Sequence, residues 1–232
     1  MKGEYSVSGH PIIVQPNSRA KNLRLRYDTR KNFFSLTVPP RARLKDIQAF
    51  LERSQQWVEQ RFKRQPDVIK LDHGATVSIF GQPHLIHFQK DIRDKVFIEQ
   101  DRIFVCHKQR SPAEELEKFI KQQSLDGLSE RAHGYVGQLT AYGAPKINKV
   151  SVRETHSRWG SCSFSKNLSF SWRLVLAPVD VADYVCAHEV AHLVHMDHSK
   201  AFWGVVNHLC PDHKNCRQWL KENGKHLFRY TF

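Results

Sequence analysis

The alternation of apolar and polar residues changes character near residue 110. Before it, apolar runs at 11–14, 22–27 and 33–38 are short and separated by turn residues, the pattern of strands. Between 43 and 62, Ile47, Phe50, Leu51, Trp57, Val58 and Phe62 recur at helical spacing and predict one amphipathic helix. Two strand pairs are expected at 76–89 and 95–107, with Gly81-Gln82-Pro83 and Asp101 marking turns. Ser111-Pro112-Ala113-Glu114 forms a capping box with proline at the first helical position. It opens a long helix to about Tyr142, which Gly143-Ala144-Pro145 ends.

Beyond that helix both periodicities occur. Leu168-Ser169-Phe170-Ser171-Trp172-Arg173-Leu174 alternates strictly, which predicts a strand with one buried face. Turn residues at 160–167 make 150–174 an expected hairpin whose edge could pair with an extended peptide. Pro178 precedes VDVADYVCAHEVAHLV, where Asp180 and Asp183 suit a helix N-terminus. Val181, Tyr184, Val185, Val190, Ala191 and Val194 make this a buried helix, expected to end at about Met196-Asp197. Ser199 should cap a further helix carrying Phe202 and Trp203, which Pro211 interrupts or follows. The fold class is therefore α+β. A β-rich region with one amphipathic helix, 1–110, precedes a domain, 111–232, with a helix beside a small sheet; no internal repeat is evident.

The buried helix carries the chemistry. His188-Glu189-Val190-Ala191-His192 places two imidazoles four residues apart on one face, where both can reach one metal ion. Glu189 lies beside them, placed to act as a general base on water without ligating the metal. A catalytic zinc needs a third protein ligand. His195 lies seven residues from His188, about 10 Å along a straight helix, too far for zinc–nitrogen bonds of about 2 Å. His198 follows the expected helix end and can turn back to the metal, so it is the expected third ligand; Asp197 is a conceivable one, with the position of a turn residue. The expected cofactor is one zinc ion. Tyr184, His156, Arg158 and Arg173 are candidate oxyanion donors, each with a duller role in packing or paired charge.

Four blocks around this motif resemble the YgjP-like metallopeptidase family, a zincin group loosely associated with the SprT and WLM peptidases. They are RWGSCS at 158–163, LSFSWRLVLAP at 168–178, DYVCAHEVAHL at 183–193 and HSKAFW at 198–203. The resemblance implies a zincin-like peptidase fold in the second region, with His188, His192 and His198 as ligands and Glu189 as base. Ten residues between first and third histidines is also the metzincin spacing, but His195 stands where that group needs glycine. The resemblance implies a peptide or protein substrate without identifying it. The alternative is a zinc-stabilised module that binds nucleic acid or protein without peptidase activity, for which Glu189 has no evident use.

Composition narrows the remainder. Five cysteines at irregular spacing do not form a disulfide framework, and Cys162 is expected to be structural. Cys210 and Cys216 are too far apart for a CxxC pair, and His208 and His213 support a second metal site only weakly. Without an apolar run of signal-peptide or spanning length, a soluble cytoplasmic protein is expected, with no membrane partner. The net charge of +13 is uneven: 14 Lys and Arg stand against 5 Asp and Glu in 1–65, a balance of +9. Arg19, Lys21, Arg24, Arg26, Arg30, Lys31, Arg41 and Arg43 dominate this patch, which could hold phosphate backbone while Phe33, Phe34 or Trp57 stacks on bases. A solvated basic face or an acidic protein partner explains the same charge.

Overall fold

A computed structural model of the chain describes residues 5–7, 9–28, 33–63, 68–91, 95–108, 110–143 and 146–232. Arg30, Lys31, Ala144, Pro145 and the side chain of Phe62 lie outside the described residues. The chain divides into two units, Met1–Asp67 and Val68–Phe232.

The apolar runs of the first unit become β1 (Tyr5–Val7), β2 (His10–Pro16), β3 (Arg24–Asp28) and β4 (Phe33–Val38), followed by α1 (Leu44–Lys63). They form one sheet in the order β1-β2-β4-β3, with β2 and β4 parallel and both outer pairs antiparallel. Ile12, Phe34 and Leu36 pack with Ile47, Leu51 and Val58, so the apolar stripe of α1 completes the core.

The second unit opens with β5 (Ile69–Lys70) and a second sheet of β6 (Thr76–Ile79), β7 (Gln82–Lys90), β8 (Lys95–Glu99) and β9 (Arg102–His107). Its order, β6-β7-β9-β8, repeats the first sheet strand for strand: β7 and β9 are parallel and the outer pairs antiparallel. A helix follows here too, α2 (Pro112–Gly137). The topology is thus duplicated where no residue repeat is evident, because burial pattern and pairing, not residue identity, define it. The β6–β7 turn falls at Phe80-Gly81, with φ of 47° and 85°, one residue before the expected position. A two-residue turn with both φ positive matches the twist of the strands it joins.

The expected boundary at 110 differs from the division between Asp67 and Val68. Val77, Ile86, Ile103 and Val105 share one core with Leu116, Ile120 and Leu128 of α2 and with Val181, Val185 and Val190 downstream. The change of periodicity at 110 is therefore a change of secondary structure within one core. α2 ends at Gly137 and a 3-10 turn, Thr140–Tyr142, leads to Gly143 in the left-handed region. The Ser111 side chain makes no capping bond; its carbonyl accepts from the Glu115 N–H at 3.1 Å.

The segment expected as a hairpin is a three-stranded sheet of β10 (Lys149–Arg153), β11 (Gly160–Cys162) and β12 (Asn167–Ser171), in the order β10-β12-β11. Only β11 and β12 form the hairpin; β10 joins β12 in parallel from the other side. The alternating strand is central, and β10 and β11 are the edges. The strand stops at Ser171, and Trp172–Leu176 forms a 3-10 helix buried at every position. Arg173 breaks the alternation because its polar atoms are satisfied inside: Nε bonds Glu154 at 3.1 Å, and Nη1 donates to the Leu227 and Tyr230 carbonyls at 2.9 Å each.

Three helices follow, α3 (Val179–Ala191), α4 (Lys200–Leu209) and α5 (His213–Asn223), then β13 (Tyr230–Thr231), which pairs in parallel with β5. The Ser199 hydroxyl caps α4 by accepting from the Phe202 N–H at 3.4 Å. No helix among the described residues is long and apolar enough to cross a membrane.

Candidate metal centre

α3 is buried on nearly every side, and its length decides what its end can do. It stops at Ala191, earlier than the apolar pattern predicts, and the Leu193 and Val194 N–H groups turn back to the Val190 and Ala191 carbonyls. The chain then reverses. His192 Nδ1 donates to the His195 carbonyl at 2.9 Å, which leaves Nε2 as the free acceptor. His195 thus contributes a carbonyl and not its ring. Asp197 is a turn residue, its carboxylate accepting from the Ser199 N–H at 3.4 Å.

The reversal returns His198 to α3. Its ring centroid lies 5.2 Å from that of His188 and 4.8 Å from that of His192, and the His188 and His192 centroids are 5.1 Å apart. One nitrogen of each ring lies within 4.8 Å of the others, the single such cluster among the described residues. Phe202 stacks on His192 at 4.4 Å, and Trp203 stands edge-on to His188 at 5.7 Å. These α4 rings form an apolar wall behind the histidines.

The donor set fits a tetrahedral metal. Zinc–nitrogen bonds of about 2.0–2.1 Å at the tetrahedral angle place two ligand nitrogens about 3.3 Å apart. His188 Nε2 and His198 Nε2 are 3.3 Å apart. Burial first, then the neighbouring His192 and His198 rings, push the His188 imidazole down to about 4, and burial lowers His192 as well. Both are neutral near pH 7, the form that ligates. His188 Nδ1 is buried without a hydrogen-bond partner among the described residues, so nothing on the chain opposes a lone pair on Nε2.

Glu189 is 6 % exposed beside the cluster. Burial pushes its carboxyl up to about 8, against the lowering pull of Arg158. The carboxylate is held against β11: a Cβ at Gly160 would stand 2.6 Å from Glu189 Oε1. Only glycine lets the edge strand approach the glutamate this closely. The Gly-Ser-Cys segment showed a turn in the sequence but not this contact, which joins residues 29 positions apart.

A cavity of about 370 Å³ opens beside Glu189 and His188, between β11, α3 and α5. Trp159, Tyr184, Arg217 and Lys221 line it; of these, only Tyr184 is a site candidate from the sequence. Arg217 and Lys221 have no sequence signal because α4 and the turns on either side of it separate α5 from the motif. Among the other oxyanion candidates, Arg173 is tied to the C-terminal segment, and His156 pairs with Glu154 at 3.4 Å and stacks on Phe228 at 5.4 Å. Arg158 acts on Glu189 through its charge. Burial, with the Glu189 charge behind it, pushes the Cys162 thiol up to about 11, the opposite of an activated thiolate. Cys210 and Cys216 gather no third ligand among the described residues, where His213 Nδ1 is engaged with the Cys210 carbonyl at 3.1 Å.

In the first unit, Arg19, Lys21, Arg24 and Arg26 surround a concavity of about 470 Å³ with Asn17 and Thr37. Phe34 is buried and cannot stack on a base, whereas Trp57 is 41 % exposed.

An α+β domain whose helix-borne His188-Glu189-x-x-His192 lies under an edge strand, with His198 returned to the same point, is a zincin-like metallopeptidase domain. The family model described as YgjP-like, metallopeptidase domain matches residues 21–223, across both units, and the chain belongs to that family. Membership places it among metallopeptidases and implies a metal cofactor. No curated protein matches the chain.

Proposed function

We propose that the chain is a zinc-dependent peptidase in which His188, His192 and His198 hold the metal and Glu189 is the general base. The observation that carries this reading is the convergence of three imidazoles beside a buried carboxyl. Zinc bound there would acidify water towards a pKa of about 7 and polarise a carbonyl. Glu189 takes the proton of the attacking water on a carboxylate oxygen and returns it to the departing amine. Burial raises its proton affinity in the metal-free site, and a zinc ion at the three imidazoles would lower it again by its charge, leaving the ionised carboxylate that the step needs. Gly160 fixes the carboxylate by closing the space behind it. The outer edge of β11 offers backbone groups to an extended substrate. The test is zinc content together with cleavage of an unfolded protein, wild type against Glu189→Gln. Cleavage that persists undiminished in the variant removes Glu189 as base. Zinc-loaded wild type that cleaves nothing leaves a zinc-stabilised binding module.

The concavity of the first unit supports a second reading, contact with nucleic acid through its phosphates. Four cations predict a slope of about −3 to −4 for log affinity against log salt on duplex DNA. A flat response removes it.

A further inference from the structure

The cavity beside Glu189 has a charge asymmetry that peptide hydrolysis does not require. α3 contributes Tyr184 and Val185, whereas α5 contributes Arg217, Leu220 and Lys221. Arg217 and Lys221 are four residues apart and so share one face of α5. Both are exposed, and neither forms an ion pair among the described residues. The neighbouring acid of α5, Glu222, is engaged by the Gln218 side-chain amide. The Arg217 guanidinium lies over the Trp203 ring at 5.5 Å, and that ring stands 5.7 Å from His188, so one cation is anchored next to the metal centre. Trp159 closes the opposite wall, packed so tightly on Gly224 that a Cβ there would meet its ring at 2.8 Å. At about 370 Å³ the cavity is at the small end of ligand pockets, suited to one residue and not to a folded surface.

We propose that this cavity is a substrate subsite for a carboxylate, with Arg217 and Lys221 as its specificity determinants. The carboxylate belongs to a residue flanking the scissile bond, as an acidic side chain or as a free C-terminus. The place of the subsite in a reaction rests on the peptidase reading; its affinity for the anion does not. Arg217 can grip a carboxylate through two parallel N–H donors, and Lys221 adds a mobile point charge one turn away.

Four matched peptides test it: Glu or Gln beside the cleaved bond, each with a free or an amidated C-terminus. Binding is read from tryptophan fluorescence on the zinc-loaded Glu189→Gln chain, which prevents turnover, and cleavage on zinc-loaded wild type. A carboxylate-bearing peptide should bind about tenfold more tightly than the doubly neutral one, the effect of a charge-assisted hydrogen bond at a partly open site. Preference for Glu identifies the side chain as source, and preference for the free acid identifies the C-terminus. Arg217→Ala/Lys221→Ala should erase the difference with an unchanged melting temperature, since both side chains are exposed. Arg217→Glu/Lys221→Glu should turn the preference towards a Lys peptide. Equal binding of all four peptides to the chain with Arg217 and Lys221 intact overturns the proposal, as does a preference that survives in the double alanine variant. A binding preference without any cleavage would remove the peptidase reading and leave the subsite standing.

Discussion

Gly160→Ala is the sharpest perturbation of the site, because it adds one carbon and two hydrogens at a single known contact. The new Cβ would lie 2.6 Å from both Cγ and Oε1 of Glu189 and 2.8 Å from its Cδ. Ordinary contact begins near 3.5 Å, so the carboxyl must retreat by about 0.9 Å or the strand must lift by as much. Glu189 is 6 % exposed on a helix packed on nearly every side, so its carboxyl can retreat only towards the cavity it lines, away from its working position. Overpacking of this kind costs about 1–3 kcal/mol, a fall of about 2–12 °C in Tm for a chain of this length. A misplacement of about 1 Å in a group acting on the substrate costs about 10²-fold in kcat/KM. Zinc stoichiometry should stay at one, because the collision is with Glu189 and not with the three histidines. The assay is therefore threefold: metal content, thermal melting and cleavage of an unfolded protein. Adding Glu189→Ala to Gly160→Ala should restore most of the lost stability without restoring turnover, a coupling that only direct contact produces. Wild-type turnover and melting in Gly160→Ala would refute the reasoning, as would an undiminished loss in the double variant.

His198→Ala should weaken zinc binding by more than the 10–100-fold typical of outer-shell changes, whereas His195→Ala, which keeps the backbone carbonyl, should leave zinc content at wild type; metal titration separates the two. Metal-free protein should lose stability between pH 6.5 and 8. In that window the folded Glu189 carboxyl, raised to about 8, still holds its proton while its unfolded counterpart is ionised above about 4.5, so the unfolded state is favoured as pH rises. Glu189→Gln should abolish that slope, and a slope unchanged in the variant would assign it elsewhere. Between about pH 6.5 and 4.5, His188, lowered to about 4, opposes Glu189: unfolded chains gain a proton on the imidazole while folded chains hold one on the carboxyl, so the two slopes offset. Glu189→Gln should uncover a fall in metal-free stability as pH drops through this range, and a flat melting profile in that variant would remove the His188 contribution. Arg173→Met should cost about 3 kcal/mol in denaturant unfolding with zinc content intact, because it strips Glu154 and two carbonyls of their buried donor; unchanged stability would show the clamp to be idle.

Much of the site was legible because its chemistry is local. The four-residue interval between His188 and His192 fixes their common face in any helix, and rise per residue alone removes His195. The bend that brings in His198 follows from the helix stopping, but where it stops did not follow from periodicity. Leu193 and Val194 continue the apolar pattern, and only the reversed chain, locked by the His195 carbonyl on His192, ends α3 at Ala191. Arg173 misled for a related reason. In an alternating strand it belongs on the wet face, and its burial depends on Glu154, Leu227 and Tyr230, up to 57 residues away.

The sequence by itself determined the fold class, the main strands and helices, and the face of α3 that carries His188 and His192 with Glu189 beside them, all from intervals of a few residues. Tertiary structure alone decided that 76–107 shares a core with the metal-site helices, that the sheet of the first unit recurs in the second, that Gly160 rests on Glu189 and that Arg217 and Lys221 face the same cavity. The physical reason is the range of the forces involved. Hydrogen-bonded periodicity is written within one turn or one strand, whereas pairing order and close approach are selected by the apolar area the whole chain can bury at once.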